Sequence, residues 1–243
     1  MTIQNLQRDG TQVSFDKTRL VFFDMDQTIL DTTSYHRKNF LTVLNKLYEI
    51  NQLPYVENAG NPMMVALKRW CTAAGVGQTF MESHLKEAER MLVENMLAIL
   101  PNDLRGAVLP GVIDLLETLS KAQIPLGLTT GTLREIAVPI LKRAGLLGYF
   151  PLTVFGDQAE TREDIVRSGL EKATWVYGLA NEEISLVTVG DGITDIRAGK
   201  AFNARTISVT TGGLSKERLQ AYQPDYIFPD LTDTNALFEA IVY

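Results

Sequence analysis

A chain of 243 residues, 45% of them hydrophobic, is long enough to bury a large core without covalent staples. Its single cysteine, Cys71, excludes an internal disulfide, and a net charge of −6 with no lysine or arginine run excludes a non-specific nucleic-acid surface, which needs clustered positive charge. No apolar run reaches the roughly 18 residues that suggest a membrane span, and Met1 to Asp16 lacks the apolar segment of a secretory signal, so the expectation is a soluble, cytoplasmic protein with no membrane partner.

Thr11 to Phe15 alternates enough for an edge strand, and the rest of the stretch before Leu20 has no assigned role. Leu20-Val21-Phe22-Phe23 is a continuous apolar run, as expected for a parallel strand covered on both faces. It runs into Asp24-Met25-Asp26-Gln27-Thr28. From about Thr32 to Val108 the periodicity is helical. Leu85, Ala88, Leu92, Met96 and Ile99 recur at spacings of three and four, charged residues take the other faces, and Pro101 stops the helix. A helical block this long exceeds an ordinary crossover between parallel strands. It predicts an all-helical cap, residues 32–108, inserted into a core made of residues 1–31 and 109–243. Five of the seven methionines (Met63, Met64, Met81, Met91 and Met96) fall in the cap and are expected to fill its core, as Cys71 is expected to be a packing thiol.

Beyond the cap, Pro110-Gly111 introduces Val112, Leu115, Leu116 and Leu119 at helical spacing. Ile124 to Leu128 is the second candidate strand and runs into Thr129-Thr130-Gly131-Thr132. Pro139 should kink the next helix or mark its first turn. Arg162 to Tyr177 forms a further helix. Ile184 to Val189 is the third strand and ends in Gly190-Asp191-Gly192-Ile193-Thr194-Asp195. Thr206 to Thr210 and Tyr226 to Phe228 make two more strands. Ser215 caps a helix over Lys216 to Tyr222, and Asp233 or Thr234 caps the last one. The fold class is therefore α/β, a Rossmann-like parallel sheet carrying a helical insertion.

Three strands each end in a polar motif, and parallel strands gather their carboxyl ends along one edge, where open α/β folds bind ligands. Singly, a D-x-D, a G-D pair or two threonines read as caps and turns. Jointly, and each after a strand, they bring four aspartates together. Two unit charges about 4 Å apart repel by roughly 4 kcal/mol at an effective dielectric of 20. Such a cluster calls for a cation, and hard oxygen ligands with room for water and phosphate suit Mg2+.

The chain resembles the haloacid dehalogenase-like hydrolase superfamily from Leu20 to Asp31 and from Leu109 to about Gly212. DMDQT is similar to its first motif, LGLTTGT to its second and VGDGITDIRAGKA to its acidic fourth. The insertion directly after the first motif is similar to the cap of the phosphoglycolate-phosphatase-like branch. The resemblance implies Asp24 as nucleophile, Asp26 as general acid and base, and Thr130 as a donor to the phosphoryl group. It implies a Mg2+ site made by Asp24, the backbone carbonyl of Asp26, Asp191 and Asp195. The third motif departs from the family pattern, because no lysine-proline pair follows the second motif. FGDQAETREDIVRSGLEKA resembles a variant with arginine before the helix, which gives the role to Arg162, with Arg167 and Lys172 as alternatives. Gln27 stands where glycine is common.

The implied activity is hydrolysis of a small phosphorylated metabolite through an aspartyl-phosphate. Phosphoglycolate is the first substrate to consider, and a sugar phosphate or nucleotide is the alternative. A phosphomutase and a non-catalytic metabolite-binding protein are the competing functions. His36, Arg37, Lys68 and Arg69 could reach a substrate anion but read as surface residues, and the oligomeric state is left open.

Overall fold

The computed structural model describes residues 17–56, 58, 60–157 and 159–243, and the backbone of 5–8 and 11–14. The first elements, β1 (Asn5–Arg8) and β2 (Thr11–Ser14), pair antiparallel as a separate two-stranded sheet. The segment expected as an edge strand is thus half of a hairpin and does not join the main sheet. Phe15, the last residue of that expectation, lies outside the described residues.

The main sheet has six parallel strands: β3 (Thr18–Phe23), β4 (Leu126–Thr129), β5 (Leu152–Val154), β6 (Ile184–Gly190), β7 (Arg205–Val209) and β8 (Tyr226–Phe228). Their order is β5-β4-β3-β6-β7-β8. β3 lies at the centre, and its side chains alternate between two buried faces. Val21 and Phe23 join the larger core, whereas Leu20 and Phe22 join the smaller one on the other side of the sheet. Each such buried aromatic or aliphatic side chain contributes roughly 1.5–3 kcal/mol. Phe23 is level with both Leu128 of β4 and Val189 of β6. This register brings the three polar motifs to one height at the sheet edge.

Three α-helices fill the stretch that follows β3: α1 (Thr33–Tyr48), α2 (Met63–Ala73) and α3 (Gln78–Ile99). No strand occurs among the described residues of this stretch. The chain leaves and re-enters the sheet side by side, with Leu30 bridged to Val108, Asp31 N–H donating to the Ala107 carbonyl and Leu109 N–H to that of Ile29. Met63, Met81, Met91, Met96 and Cys71 are buried and Met64 partly so, as packing residues should be.

The remaining helices are α4 (Val112–Lys121), α5 (Arg134–Ala144), α6 (Arg162–Tyr177), α7 (Ile193–Ala201), α8 (Lys216–Gln220) and α9 (Thr234–Val242). Ser215 and Asp233 accept from the backbone N–H groups of Arg218 and Ala236, the capping expected of them. Pro139 sits inside α5, beyond its first turn. β5 has no counterpart in the sequence reading, since Leu152-Thr153-Val154 contains only two apolar residues. No helix among the described residues is long and apolar enough to cross a membrane.

Candidate active site

The turn after β3 folds tightly on itself. Backbone N–H groups of Ile29 and Leu30 converge on the Met25 carbonyl, and Gln27 N–H donates to the Leu30 carbonyl at 2.6 Å. Gln27 adopts φ 62°, the left-handed region that favours glycine and costs another residue about 1–3 kcal/mol. Its side chain offsets part of that cost by donating to Asp31 Oδ1 and Thr33 Oγ1, each at 2.6 Å. The Thr211 hydroxyl donates to its carbonyl.

Asp24 is buried at 6% exposure. Arg162 Nη2 donates to Asp24 Oδ1 at 2.6 Å and to the Thr129 carbonyl at 2.8 Å, while Arg162 Nε donates to Asp195 Oδ1 at 2.8 Å. Arg162 is 3% exposed, and its Nη1 has no partner. It opens α6, whose start is set by reciprocal capping between Thr161 and Asp164. Arg167 and Lys172, the alternatives for this role, are exposed. Arg167 pairs with Asp164, and Lys172 donates to the Thr153 carbonyl.

Burial raises the Asp24 carboxyl well above the usual range. Arg162 opposes that shift, and the charges of Asp195, Asp191 and Asp26 add to it. Asp191 is pushed up to about 7 by burial and then by Asp195. One carboxylate oxygen from each of Asp24, Asp191 and Asp195 lies within 4.8 Å of the others. Two glycines permit this crowding. A Cβ on Gly190 would stand 2.4 Å from Asp195 Oδ2, and one on Gly212 would stand 1.9 Å from Asp191 Oδ2. An all-oxygen donor set with more carboxylates than cationic side chains fits a hard divalent cation.

The Asp26 carboxylate turns elsewhere. Thr32 donates to Oδ1, the Thr132 hydroxyl donates to Oδ2 at 3.3 Å, and His36 Nε2 lies 3.3 Å from Oδ2. Burial alone would raise this carboxyl, but the interaction with His36, first of all, and hydrogen bonds from Thr32 and Thr132 hold it below the ordinary value. Thr130 is buried, and its hydroxyl oxygen accepts from Thr132 N–H at 3.1 Å. Asp24, Asp26, Thr130 and Asp191 all open onto one cavity of about 420 Å³, whose far side is made by α1, α2 and the loop between them.

The six residues expected from the motifs are therefore brought together. His36, Thr32 and Thr132 were not singled out as site residues, and they surround Asp26. His36 carried a weak signal as a polar residue in the first helical turn after the first motif, whereas Thr132 approaches from a segment 106 residues away.

Residues 21–209 match the family model described as haloacid dehalogenase-like hydrolase. A phosphoglycolate phosphatase from Agrobacterium fabrum is 28% identical over 92% of this chain and 94% of its own length. A hydrolase from Pseudomonas syringae superposes with a TM-score of 0.73 at 20% identity, covering 93% of this chain and all of that one. A β-phosphoglucomutase from Clostridium difficile superposes with a TM-score of 0.71 at 16% identity, covering 92% and 97%. At those identities the two structures speak for the fold alone.

Proposed function

The chain belongs to the haloacid dehalogenase-like hydrolases, and from that premise we propose that it is a Mg2+-dependent phosphatase of small phosphomonoesters, working through an aspartyl-phosphate on Asp24. The observation that carries this is a buried carboxylate held by Arg162 beside Asp191 and Asp195, with a second carboxylate, Asp26, opening onto the same cavity. Residues 1–31 and 109–243 would form the catalytic core, and residues 32–108 a cap over the leaving group.

Asp24 Oδ attacks phosphorus, the P–O bond to the alcohol breaks, and Asp26 gives its proton to the departing oxygen. Water then attacks the same phosphorus, Asp26 takes its proton, and the P–O bond to Asp24 breaks to release phosphate. Asp24, the Asp26 carbonyl, Asp191 and Asp195 would hold Mg2+, which when bound masks the charge of the nucleophile and of the phosphoryl oxygens. Thr130 positions the phosphoryl group. Arg162 aims Asp24 and opposes the burial that raises its carboxyl. His36, Thr32 and Thr132 hold Asp26 ionised before substrate arrives, and a phosphate dianion beside it would raise its proton affinity. Protonation of Asp26 is thereby tied to occupancy of the site.

The test is inorganic phosphate release from a panel of phosphoglycolate, sugar phosphates and nucleoside monophosphates, with Mg2+ and with chelator. Release that chelator abolishes is expected. Folded, metal-loaded protein that releases none from any ester would overturn the reading, and a phosphomutase would show itself by interconverting sugar phosphates with little release. The Agrobacterium relative's name makes phosphoglycolate the first ester on the panel.

Cation binding has a second readout. With Asp191 raised to about 7, the metal-free fold holds a proton there that the unfolded chain loses near an ordinary carboxyl value of about 4. That stabilisation is complete in acid and disappears as pH rises through 7. Chelated protein is expected to melt lower at pH 8 than at pH 5.5, and Mg2+ to raise the melting temperature more at pH 8, where it displaces no proton. At a hundredfold excess over Kd the gain is about 2.7 kcal/mol, or roughly 5–10 °C for a chain this long. A Mg2+ response equal at both pH values counts against Asp191 as a ligand.

A further inference from the structure

The cavity beyond the aspartates changes character with distance from them. On α1 the residues facing it are Thr33, His36, Arg37 and Phe40, at i, i+3, i+4 and i+7. α2 presents Met63, Ala66 and Trp70 at i, i+3 and i+7. The first residue of each series lies by the catalytic motifs, the Thr33 hydroxyl accepting from the Gln27 side chain and Met63 N–H donating to the Gly131 carbonyl. The far end is apolar, with Phe40 buried and its ring edge-to-face with Trp70 at a centroid distance of 4.8 Å. Leu53 and Val56 from the intervening loop continue this wall, and the polar side chains that the described residues of that loop add are the uncharged amides of Asn58 and Asn61.

Basic side chains are scarce there. Among the described lining residues they are His36, already against Asp26, and the exposed Arg37. Lys68 pairs with Glu160 at 3.8 Å and does not line the cavity. A carboxylate pressed against the Phe40–Trp70 wall would lose its water and gain no partner. About 420 Å³ falls within the 300–1,000 Å³ range of pockets for drug-sized ligands, generous for an acid as small as glycolate.

We infer that the preferred substrate is a phosphomonoester of an uncharged, ring-bearing alcohol, whose ring lies against Phe40 and Trp70. This rests on the phosphomonoesterase reading of the site. An aromatic or deoxygenated ring offers the apolar face this wall complements, and Asn58 and Asn61 supply neutral hydrogen bonds to its edge. Trp70 and Ala66 then decide specificity: Trp70 by contact, and Ala66 because its small side chain leaves the space open.

Binding of phosphonates separates this inference from the catalytic one, since a phosphonate needs no turnover. Calorimetry with Mg2+-loaded protein would compare 3-phenylpropylphosphonate with 3-phosphonopropionate, the isostere of phosphoglycolate, and with propylphosphonate. The expected result is that the phenyl compound binds about ten-fold or more tightly than either. Trp70→Ala, and independently Ala66→Met, should each cut that preference at least several-fold. A preference kept by both variants overturns the inference, as does tighter binding of 3-phosphonopropionate. Among esters, the ratio of kcat/KM for 2-phenylethyl phosphate to that for ethyl phosphate should follow the same order. Their leaving oxygens are chemically alike, so the ratio reads the wall and not the chemistry. Phosphonate preference without turnover of any ester would sink the phosphatase reading and leave the binding inference standing.

Discussion

Asp24→Asn is expected to lower phosphate release by about 10⁴-fold or more, the scale on which enzymes lose activity when a covalent nucleophile is removed. The variant should also fail to acquire the phosphoryl mass that acid-quenched wild-type protein carries on this residue. Asparagine keeps the shape of the side chain, and its carbonyl oxygen can still accept from Arg162 Nη2, which now donates to Oδ1 at 2.6 Å. It cannot supply the oxygen anion that attacks phosphorus.

The same substitution makes an opposite forecast for stability. Burial and three neighbouring carboxylates all disfavour the charged form of Asp24. A neutral isostere removes that repulsion, so chelated Asp24→Asn should melt at or above the temperature of chelated wild type near neutral pH, with the gap closing in acid, where the wild-type carboxyl is itself protonated. Activity lost together with stability kept is what a functional acidic cluster produces. Residual turnover within ten-fold of wild type would dismiss Asp24 as the nucleophile. A collapse of the melting temperature would instead mark it as a structural partner of Arg162.

Those aspartates were legible because each stands within a few residues of an apolar run. Leu20–Phe23 and Ile184–Val189 are buried on both faces, so their chain direction and carboxyl ends followed from composition alone. Arg162 was legible at one remove, since the helix expected over Arg162 to Tyr177 starts at this residue, but its choice over Arg167 needed the resemblance to a family. The surroundings of Asp26 were not legible. His36 and Thr132 reach it from a helix and a loop whose relative placement depends on packing of the whole molecule. Phe40 and Trp70 show helical periodicity, but nothing local says that their two helices face one another across the cavity. The edge strand β5 escaped because Leu152-Thr153-Val154 offers only two apolar residues, and of the N-terminal hairpin only β2 was read, as an edge strand, since its partner Asn5–Arg8 carries a single apolar residue.

Arg162→Ala tests the other half of the arrangement. One guanidinium satisfies Asp24, Asp195 and the Thr129 carbonyl at once, all of them buried. Its burial works against its charge, and the carboxylates of Asp195 and Asp24 outweigh that penalty. Removing one member of a buried ion pair typically costs about 3–5 kcal/mol, because the charge left behind has neither solvent nor partner. For a chain of this length that is roughly 6–20 °C in melting temperature, read in chelator, where no metal can take over the neutralisation. Mg2+ should then restore more stability to Arg162→Ala than to wild type. Catalysis should fall by about 10²–10³-fold even when the variant is metal-loaded, as when a preorganised donor is lost at a site of developing charge. Arg162→Lys keeps the charge but replaces a planar fork by a point donor that cannot span Asp24 and Asp195 in the same geometry. It should recover most of the stability and only part of the rate. Equal recovery of both would mean that Arg162 contributes charge alone, and a melting temperature for Arg162→Ala within about 2 °C of wild type in chelator would show that the ion pair does not hold this edge of the sheet together.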